Sequence, residues 1–465
     1  MIFDLGRLAL FGNAAISTAL ISCCFGDAFA AEGKAEAFWR LSGEARARYE
    51  TLDGQFRAGG TGGDQALFFR TLAHVQSREA SVQVGVELQD SRAYITDEAT
   101  PLSSSFVNAL DVLQAYITIQ APGVLGDGST TRVQIGRQTV SIGSKRQIER
   151  VTYANVIKNY TGAHIVSSNP RGDELHIFGV APVERKPNDR SSIDDNEIVA
   201  DREQFGRWIW GAHYRRADAI PAIASEVWME AFVYGLTERD TDRVQTPNRQ
   251  YVAPGFRIFR EPSSGRWNVD IEGALRIGSR RETSAPTDVS DKDVFASSLI
   301  ARIGYTFDQP WRPNLALQYY WASGDEDPTD ERFDQHERLF GGRRTDLNNT
   351  SLHGPLTPAN LSAFGARLSV KPSARTDARL TWSAASLASA TDAWVIGRLR
   401  DNTGASGRFL GHVIDARARA WLIPERARLE VGGSAFLFGT FPKNVPDGPE
   451  GARTLFGYAQ IEFPF

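Results

Sequence analysis

The sequence has almost no cysteine: of its 465 residues only Cys23 and Cys24 carry a thiol, and both lie near the N-terminus. The rest of the chain therefore has no disulfide framework, no thiolate zinc site and no cysteine nucleophile. Beyond the N-terminal segment, no apolar run approaches the roughly 18–20 residues that a membrane-spanning helix needs. This absence excludes a helical membrane protein, but not a β-barrel, whose strands are apolar only at every second position.

An excess of positive charge is also missing. The formal net charge is −4, which argues against a nucleic-acid-binding protein because such proteins carry a clustered basic surface. Lysine occurs at only seven positions, so arginine supplies 45 of the 52 basic residues. This bias has two explanations: a GC-rich genome, or a need for planar, permanently charged groups that meet carboxylates or phosphates.

The first 30 residues are typical of an export leader. Residues 8–22 form an apolar stretch of the length found in secretory signal peptides, and residues 28–30 have the Ala-Phe-Ala pattern of a cleavage site. We therefore predict a signal peptide over residues 1–30, and a mature protein over residues 31–465. A lipid anchor on Cys23 is the alternative, because the four residues that end there resemble a lipobox. Both routes take the chain out of the cytoplasm.

From Phe38 onward, apolar and polar residues alternate with a period of two in one segment after another. Between Trp39 and Tyr49 one face carries Trp, Leu, Gly, Ala, Ala and Tyr, and the other carries Arg, Ser, Glu, Arg and Arg. Successive side chains of a strand point to opposite sides, so this strand has one apolar face bounded by aromatic residues and one ionised face. A soluble β-sandwich also alternates, but its outer face is rarely so rich in glycine and alanine. The pattern favours strands that face lipid on one side.

About eighteen such segments predict an all-β fold, namely a transmembrane, antiparallel, up-and-down β-barrel formed by residues 31–465. The odd-numbered connections are long and polar, such as 182–204 and 324–360, whereas most even-numbered ones are short, such as 372–375. This alternation is typical of an outer-membrane barrel with long extracellular loops and short periplasmic turns. The alternation is weakest in the segments near 161–181 and 251–260.

The C-terminal segment also predicts an outer-membrane location. Residues 455–465 alternate and end in Phe465, which resembles the signal that the barrel-assembly machinery recognises. We therefore predict a protein of the outer membrane of a Gram-negative bacterium, exported through the periplasm. Its expected partners are the assembly machinery, outer-membrane lipid and lipopolysaccharide.

A barrel of about 18 strands encloses an aqueous channel rather than a packed interior. Alternation assigns to its inward face the carboxylates Glu44, Glu87 and Asp415 and ten arginines: Arg40, Arg46, Arg48, Arg70, Arg302, Arg367, Arg379, Arg417, Arg419 and Arg428. These charges either only pair across strands and stiffen the wall, or leave a positive excess that attracts anions. The pairs Arg46/Arg48 and Arg417/Arg419 favour the second interpretation, because few carboxylates lie beside them. Closure of the barrel places the two pairs near one another.

Several short motifs, taken in order, resemble the alginate-export family of outer-membrane barrels. They are residues 87–94 (ELQDSRAY), 136–138 (GRQ), 322–325 (ASGD) followed by Phe-Asp at 333–334, and 411–415 (GHVID). The resemblance covers residues 38–465 and implies an 18-stranded barrel whose lumen carries an arginine-rich path for a polyuronate. With the arginines of these motifs, Arg92 and Arg137 join the candidate substrate path. Residues 153–155 (YAN) depart from the family pattern, which tends to have Trp-x-Asn there.

The sequence gives little support for an enzyme or a metal protein. It has no G-x-S-x-G motif, and His74 is the one histidine that we assign to the inward face. The acidic run at 325–331 either binds Ca²⁺ or forms a solvated, lipopolysaccharide-bridging segment. We expect no catalysis, cofactor or metal, and predict a channel for passive diffusion of anionic saccharides. A general or uptake porin for small anions is the alternative, and an outer-membrane enzyme or adhesin is disfavoured.

Overall fold

A computed structural model describes residues 38–78 and 81–465 of the chain. The predicted signal peptide over residues 1–30, and with it the alternative lipid anchor on Cys23, lies outside the described residues. In the part that is described, no helix is long and apolar enough to cross a membrane.

Eighteen long β-strands form the molecule, as predicted, and they include the segments with the weakest alternation, which are β6, β7 and β10. In chain order the strands are β1 (Trp39–Asp53), β2 (Gly63–Ser77), β3 (Val82–Tyr94), β4 (Asn108–Pro122), β5 (Thr130–Gln138), β6 (Tyr160–Ser168), β7 (Glu174–Pro182), β8 (Arg207–Arg216), β9 (Trp228–Glu238), β10 (Gln250–Arg260), β11 (Arg266–Arg281), β12 (Asp291–Thr306), β13 (Asn314–Ala322), β14 (Leu361–Ser373), β15 (Thr376–Ser386), β16 (Phe409–Ile423), β17 (Ala427–Phe438) and β18 (Arg453–Pro464).

Each of these strands pairs antiparallel with its neighbours in the chain, and β1 also pairs with β18, so the sheet closes into a barrel. A two-residue segment, Arg332–Phe333, adds a short parallel pairing to β12. Within the described residues, two five-residue helices, α1 (Arg190–Asp194) and α2 (Thr440–Asn444), lie in the long connections. Closure leaves none of the barrel strands with an unpaired edge, which is what a sheet needs in lipid.

The period-two pattern of β1 becomes the two faces of the barrel wall. Trp39 and Tyr49 point outward and are 46% and 41% exposed, whereas Arg46 and Arg48 on the opposite face are buried. The outer surface is accordingly mostly apolar, and most charged residues of the strands lie inside, as in barrels that face lipid.

Long and short connections alternate along the chain, as predicted, apart from the connection at 217–227, which has the same length as the one at 239–249. We number the long, extracellular loops in order, and four matter below: L3 (139–159), L4 (183–206), L5 (239–249) and L7 (323–360). The short connections, such as 374–375 and 424–426, join the strands at the opposite, periplasmic end.

The apolar core of the molecule lies inside the barrel, under the extracellular loops. Ile148 of L3 and Leu339 of L7 pack in one buried cluster with Tyr160 and Phe178 of the wall. A second cluster joins residues of L7 and the loop at 387–408 to the wall. Both L3 and L7 therefore fold into the lumen, which period-two analysis of the strands does not predict.

Candidate functional site

L3 lies across the lumen and is held by the inward arginines of β1 and β2. The Arg46 guanidinium donates to the carbonyls of Thr152, Tyr153 and Ala154 at 2.9–3.2 Å. Arg48 donates to the Tyr153 carbonyl at 2.6 Å, and Arg70 reaches those of Thr152 and Ala154 at 2.7 and 2.5 Å. These arginines are 2%, 0% and 1% exposed, so they serve as anchors for the loop.

The Asn155 side chain fixes the same segment to the wall from the other side. Its amide nitrogen donates to the carbonyls of Phe106, Arg92 and Phe69 at 2.7–3.3 Å. The Asn155 carbonyl in turn accepts a hydrogen bond of 2.7 Å from the Ser91 hydroxyl. The YAN segment that departs from the family motif is therefore held by hydrogen bonds on both sides.

L7 lies on the wall formed by β12 to β18. Arg302 contacts the Asp346 carboxylate at 2.6 Å, and Arg367 donates to the Thr345 carbonyl at 2.7 Å. Further along the loop, Arg344 pairs with Glu430 at 2.5 Å, and the Asn349 amide donates to Asp415 at 2.9 Å. Inward side chains of the strands thus position L7 residue by residue.

The two loops meet inside the barrel. Ile148 and Phe340 form an isolated parallel bridge, and the Gly342 amide donates to the Lys145 carbonyl at 3.1 Å. A Cβ on Gly341 would come within 1.8 Å of the Arg146 carbonyl oxygen of L3, so only glycine permits this approach. Together L3 and L7 make a constriction whose position is set by backbone contact.

Arg146 of L3 is the centre of the largest ion cluster at this constriction. It lies 2.6 Å from Asp270, 2.9 Å from Glu272 and 2.8 Å from Asp346. Burial alone would raise the pKa of Asp346, but Arg146 and Arg302 hold that pKa well below its usual range. The Asp346 carboxylate is therefore ionised, and it ties L3, L7 and the wall to one another.

Glu149 of L3 has a raised pKa, in contrast to Asp346. Burial raises its pKa to about 7, and neighbouring Asp346 adds to the increase, while Lys145 and the Gly342 amide lower it. This carboxyl therefore titrates near neutral pH, at the contact between the two loops.

The structure places all ten arginines that alternation assigned on the inward face. Arg417 and Arg419 share Asp377 at 3.2 and 2.9 Å, and Arg428 pairs with Glu462. Contrary to our prediction, Arg46/Arg48 and Arg417/Arg419 do not form one continuous patch, because L3 covers the first pair and not the second. The remaining inward residues are Arg40, which is exposed, Arg379, which lies against L7, Glu44, which pairs with Arg70, and Glu87, which pairs with Arg150.

Arg92 and Arg137 require a correction, since they lie on the outward face of their strands. On β3 the inward Glu87 has opposite parity to Arg92, which pairs with Asp90 at 3.0 Å. On β5 Arg137 shares its face with Ile135 and contacts Glu203 of L4. Both residues entered the candidate path through a motif and not through alternation, and the strand geometry removes them from the lumenal wall.

Three histidines on the inward face escaped the sequence prediction, which placed only His74 there. His164 and His176 share a hydrogen bond of 2.9 Å, and His176 contacts Glu174 at 2.7 Å. His213 lies 3.6 Å from Glu230. The signal was present, because each histidine alternates with outward apolar residues, but β6 and β7 are the strands whose pattern is weakest.

The acidic run of L7 offers no metal cage. Asp325 is buried, and its amide donates to the Asp392 carboxylate at 2.9 Å. Across residues 38–78 and 81–465, no group of three or more histidine, cysteine, aspartate or glutamate side chains is arranged to hold a metal ion.

Solved outer-membrane proteins share this architecture at low sequence identity. OprD from Pseudomonas aeruginosa is 13% identical, with a TM-score of 0.55 over 93% of this chain and 95% of OprD. A BenF-like porin from Pseudomonas fluorescens Pf-5 is 9% identical, with a TM-score of 0.59 over 92% of this chain and all of the porin. OccK2 (OpdF) from Pseudomonas aeruginosa, solved in complex with glucuronate, is 12% identical, with a TM-score of 0.54 over 91% of this chain and 98% of its own.

A search of curated protein sequences found no match to the chain. The family model described as alginate export, in contrast, matches residues 39–454. That match runs from the first barrel strand into the last, and the architecture is that of an outer-membrane porin. The chain therefore belongs to the alginate-export family, and its closed barrel is an outer-membrane channel.

Proposed function

We propose that this channel lets anionic saccharides, and polyuronates in particular, cross the outer membrane by passive diffusion. The observation that carries the proposal is an excess of positive charge on β15 and β16. Arg417 and Arg419 share the carboxylate of Asp377. Arg379 donates only to the carbonyls of Thr345 and Arg344, at 3.3 and 3.4 Å. Three guanidinium groups on adjacent strands thus have one ion-paired carboxylate between them. Of the neighbouring carboxylates, Asp415 accepts from the Asn349 amide, and Glu430 pairs with Arg344 of L7.

The register of the sheet indicates that this excess of positive charge does not serve to stabilise the fold. Arg379 and Arg417 are directly opposite one another in the pairing of β15 with β16, and like charges in that position destabilise a sheet. A passing anion offsets the repulsion, because a carboxylate accepts two parallel hydrogen bonds from a guanidinium group. The low-dielectric wall focuses the field of these fixed charges into the lumen and raises the local concentration of anions.

Passage then requires that each contact be weak enough to break. A uronate carboxylate that leaves one guanidinium can be accepted by the next, as in pores lined by rings of arginine. The proposed transport is non-enzymatic, since side chains of the wall only hold and release the solute. The family description supports a polyuronate as that solute, because alginate is a polymer of uronic acids.

The proposal is tested by removing two lumenal charges and two matched loop charges. Replacing Arg417 and Arg419 by serine should lower the ratio of anion to cation permeability several-fold, because these charges lie within the screening length of about 8 Å from passing ions. Arg239→Ser with Arg243→Ser, two exposed residues of L5, should have much less effect. The measurement is the reversal potential across a planar bilayer in a salt gradient, followed by block with oligouronates.

An unchanged reversal potential in the lumenal variant would show that Arg417 and Arg419 only serve as partners of Asp377, and the anion-channel proposal would be wrong. Block of the unmodified channel by glucuronate, the sugar acid held by OccK2, without block by oligouronates would instead identify a porin for small anions.

A further inference from the structure

A second concentration of positive charge lies at the extracellular end of the lumen, where L3, L4 and L7 meet the wall. It surrounds a cavity of about 330 Å³ whose lining includes Lys158, Asn159, Tyr160, Arg185, Arg207 and Phe340. This volume falls at the lower end of the range of about 300–1,000 Å³ that small-molecule sites occupy. The cavity is separate from the cluster on β15 and β16 that carries the proposed function.

Lys158 has no hydrogen bond and no ion pair with any residue that the structure describes. Its ammonium group lies 5.2 Å from the centre of the Phe340 ring, which is within cation–π distance. Burial, together with the guanidinium groups of Arg338, Arg185 and Arg207, holds the pKa of Lys158 well below its ordinary value. The surroundings of this ammonium group thus lack the negative charge that would stabilise it.

The neighbouring arginines and carboxylates do not supply that charge. The Arg185 guanidinium donates to the Ser105 hydroxyl at 3.2 Å, and no carboxylate of the described chain pairs with it. Arg207 is committed to Glu238 on β9. Glu184, the one carboxylate in the lining, pairs with Lys186 at 2.7 Å. Asp201 acts on Arg185 without forming an ion pair with it. Lys158 and Arg185 therefore present two basic side chains without an ion-paired carboxylate to one cavity.

Neutral polar groups of the lining are unpaired as well. The Tyr160 hydroxyl is fully buried, and neither it nor the Asn159 side-chain oxygen has a hydrogen-bond partner in the described structure. Such a buried, unpaired group costs about 1–3 kcal/mol. A ligand that carries hydroxyl groups beside its carboxylate would offer partners to both of these atoms and to both basic side chains.

We propose that this cavity is a binding subsite for one acidic sugar unit, whose carboxylate lies between Lys158 and Arg185 and whose hydroxyl groups meet Asn159 and Tyr160. The identity of the ligand rests on the proposed function, since the subsite narrows the class of anionic saccharides to a uronate. It places a binding step at the extracellular end of the channel, beside the contact of L3 with L7.

The test is direct binding of glucuronate to the detergent-solubilised, full-length protein, measured by isothermal titration calorimetry at low salt. Lys158→Gln and Arg185→Gln should each raise the dissociation constant by about tenfold or more, the loss expected for one charge-assisted hydrogen bond. Lys158→Arg should retain most of the affinity because it keeps the charge. Arg243→Gln, an exposed arginine of L5, removes the same charge elsewhere and should bind normally.

The experiments on binding and on ion selectivity can each fail without the other. Normal glucuronate affinity in both glutamine variants, or no affinity in the unmodified protein, would overturn the subsite. If the unmodified channel is not anion-selective but loses glucuronate with Lys158→Gln and regains it with Lys158→Arg, the subsite stands and the proposed transport function is wrong. Unchanged heat-modifiable mobility on gels establishes that each variant is folded.

Discussion

At the scale of single residues, the preference for arginine over lysine has a structural reason. The Arg46 guanidinium meets three carbonyls and the Asn155 oxygen, and Arg146 meets three carboxylates. A planar group with five donors can serve several acceptors at fixed directions, whereas an ammonium group on a flexible stem cannot hold that geometry. The composition of the genome is therefore not needed to explain the arginines at these positions.

Glu149 yields a prediction at the same scale. Because burial raises its pKa to about 7, the carboxyl is neutral below this pH and ionised above it. Ionisation adds a negative charge to the constriction, beside Asp346, Lys145 and Arg338, so anion selectivity should fall as pH rises through about 7. Reversal potentials measured across this range should show the step in the unmodified channel.

Glu149→Gln should abolish that step and keep the selectivity seen at acidic pH. The raised pKa also makes the stability of the fold depend on pH. The contribution of Glu149 to the free energy of unfolding is fully present below its ordinary pKa of 4.5 and is lost as pH rises through about 7. A glutamine variant with the same pH profile would assign the titration to a group other than Glu149.

At the scale of elements, L3 is a loop that side chains of the wall hold by its backbone. Its segment at 152–155 is bonded through its carbonyls to β1 and β2 and through the Asn155 amide to strand and loop carbonyls. Such charge-assisted hydrogen bonds are each worth about 1.5–3 kcal/mol. The anchors are therefore strong enough to decide whether the loop stays in the lumen.

Releasing those anchors should widen the channel. Replacing Arg46 and Arg48 by glutamine should raise the single-channel conductance and its noise, because L3 loses its charge-assisted bonds. Arg417→Gln with Arg419→Gln should mainly change selectivity, since neither arginine contacts L3. Conductance in planar bilayers separates the two effects, and a variant of Arg46 and Arg48 that loses selectivity at unchanged conductance would mean that these residues face the permeating ions.

The contrast between strands and loops explains what the sequence predicts and what it hides. Alternation locates all eighteen strands and the inward side of residues such as Arg70 and Arg302, because lipid on one side and charge on the other impose a period of two. L3 and L7 have no periodicity, so nothing in the sequence shows that they fold inward. Motif similarity misplaced Arg92 and Arg137 because a motif carries no information on which face of the strand a residue occupies.

At the scale of the whole molecule, the barrel depends on one long-range pairing, that of β1 with β18. The pairing extends to the last residue: the Gly43 amide donates to the Phe465 carbonyl at 2.8 Å, and the Phe465 amide donates back to the Gly43 carbonyl at 3.1 Å. This pairing joins strands at opposite ends of the chain, whereas every other pair of neighbouring barrel strands is joined by a single connection. Closure and the proposed recognition of Phe465 by the assembly machinery thus involve the same residue.

Two variants separate these roles of the seam. Deleting Phe465 should lower the amount of assembled barrel in cells. If the main role of Phe465 is recognition by the assembly machinery, the truncated protein should still refold in detergent. Gly43→Ala keeps the C-terminal residue but places a Cβ 2.3 Å from the Leu72 carbonyl oxygen and 2.4 Å from the Phe465 ring, so assembly should fall both in cells and in detergent.

Gly457→Ala on the same seam is the matched control, because the nearest atom to its Cβ is 3.6 Å away. Heat-modifiable mobility reports the folded fraction of each variant. Normal assembly of the Phe465 deletion in cells would remove the proposed assembly signal, whereas normal refolding of Gly43→Ala would show that the seam tolerates a side chain and that closure does not depend on this close approach.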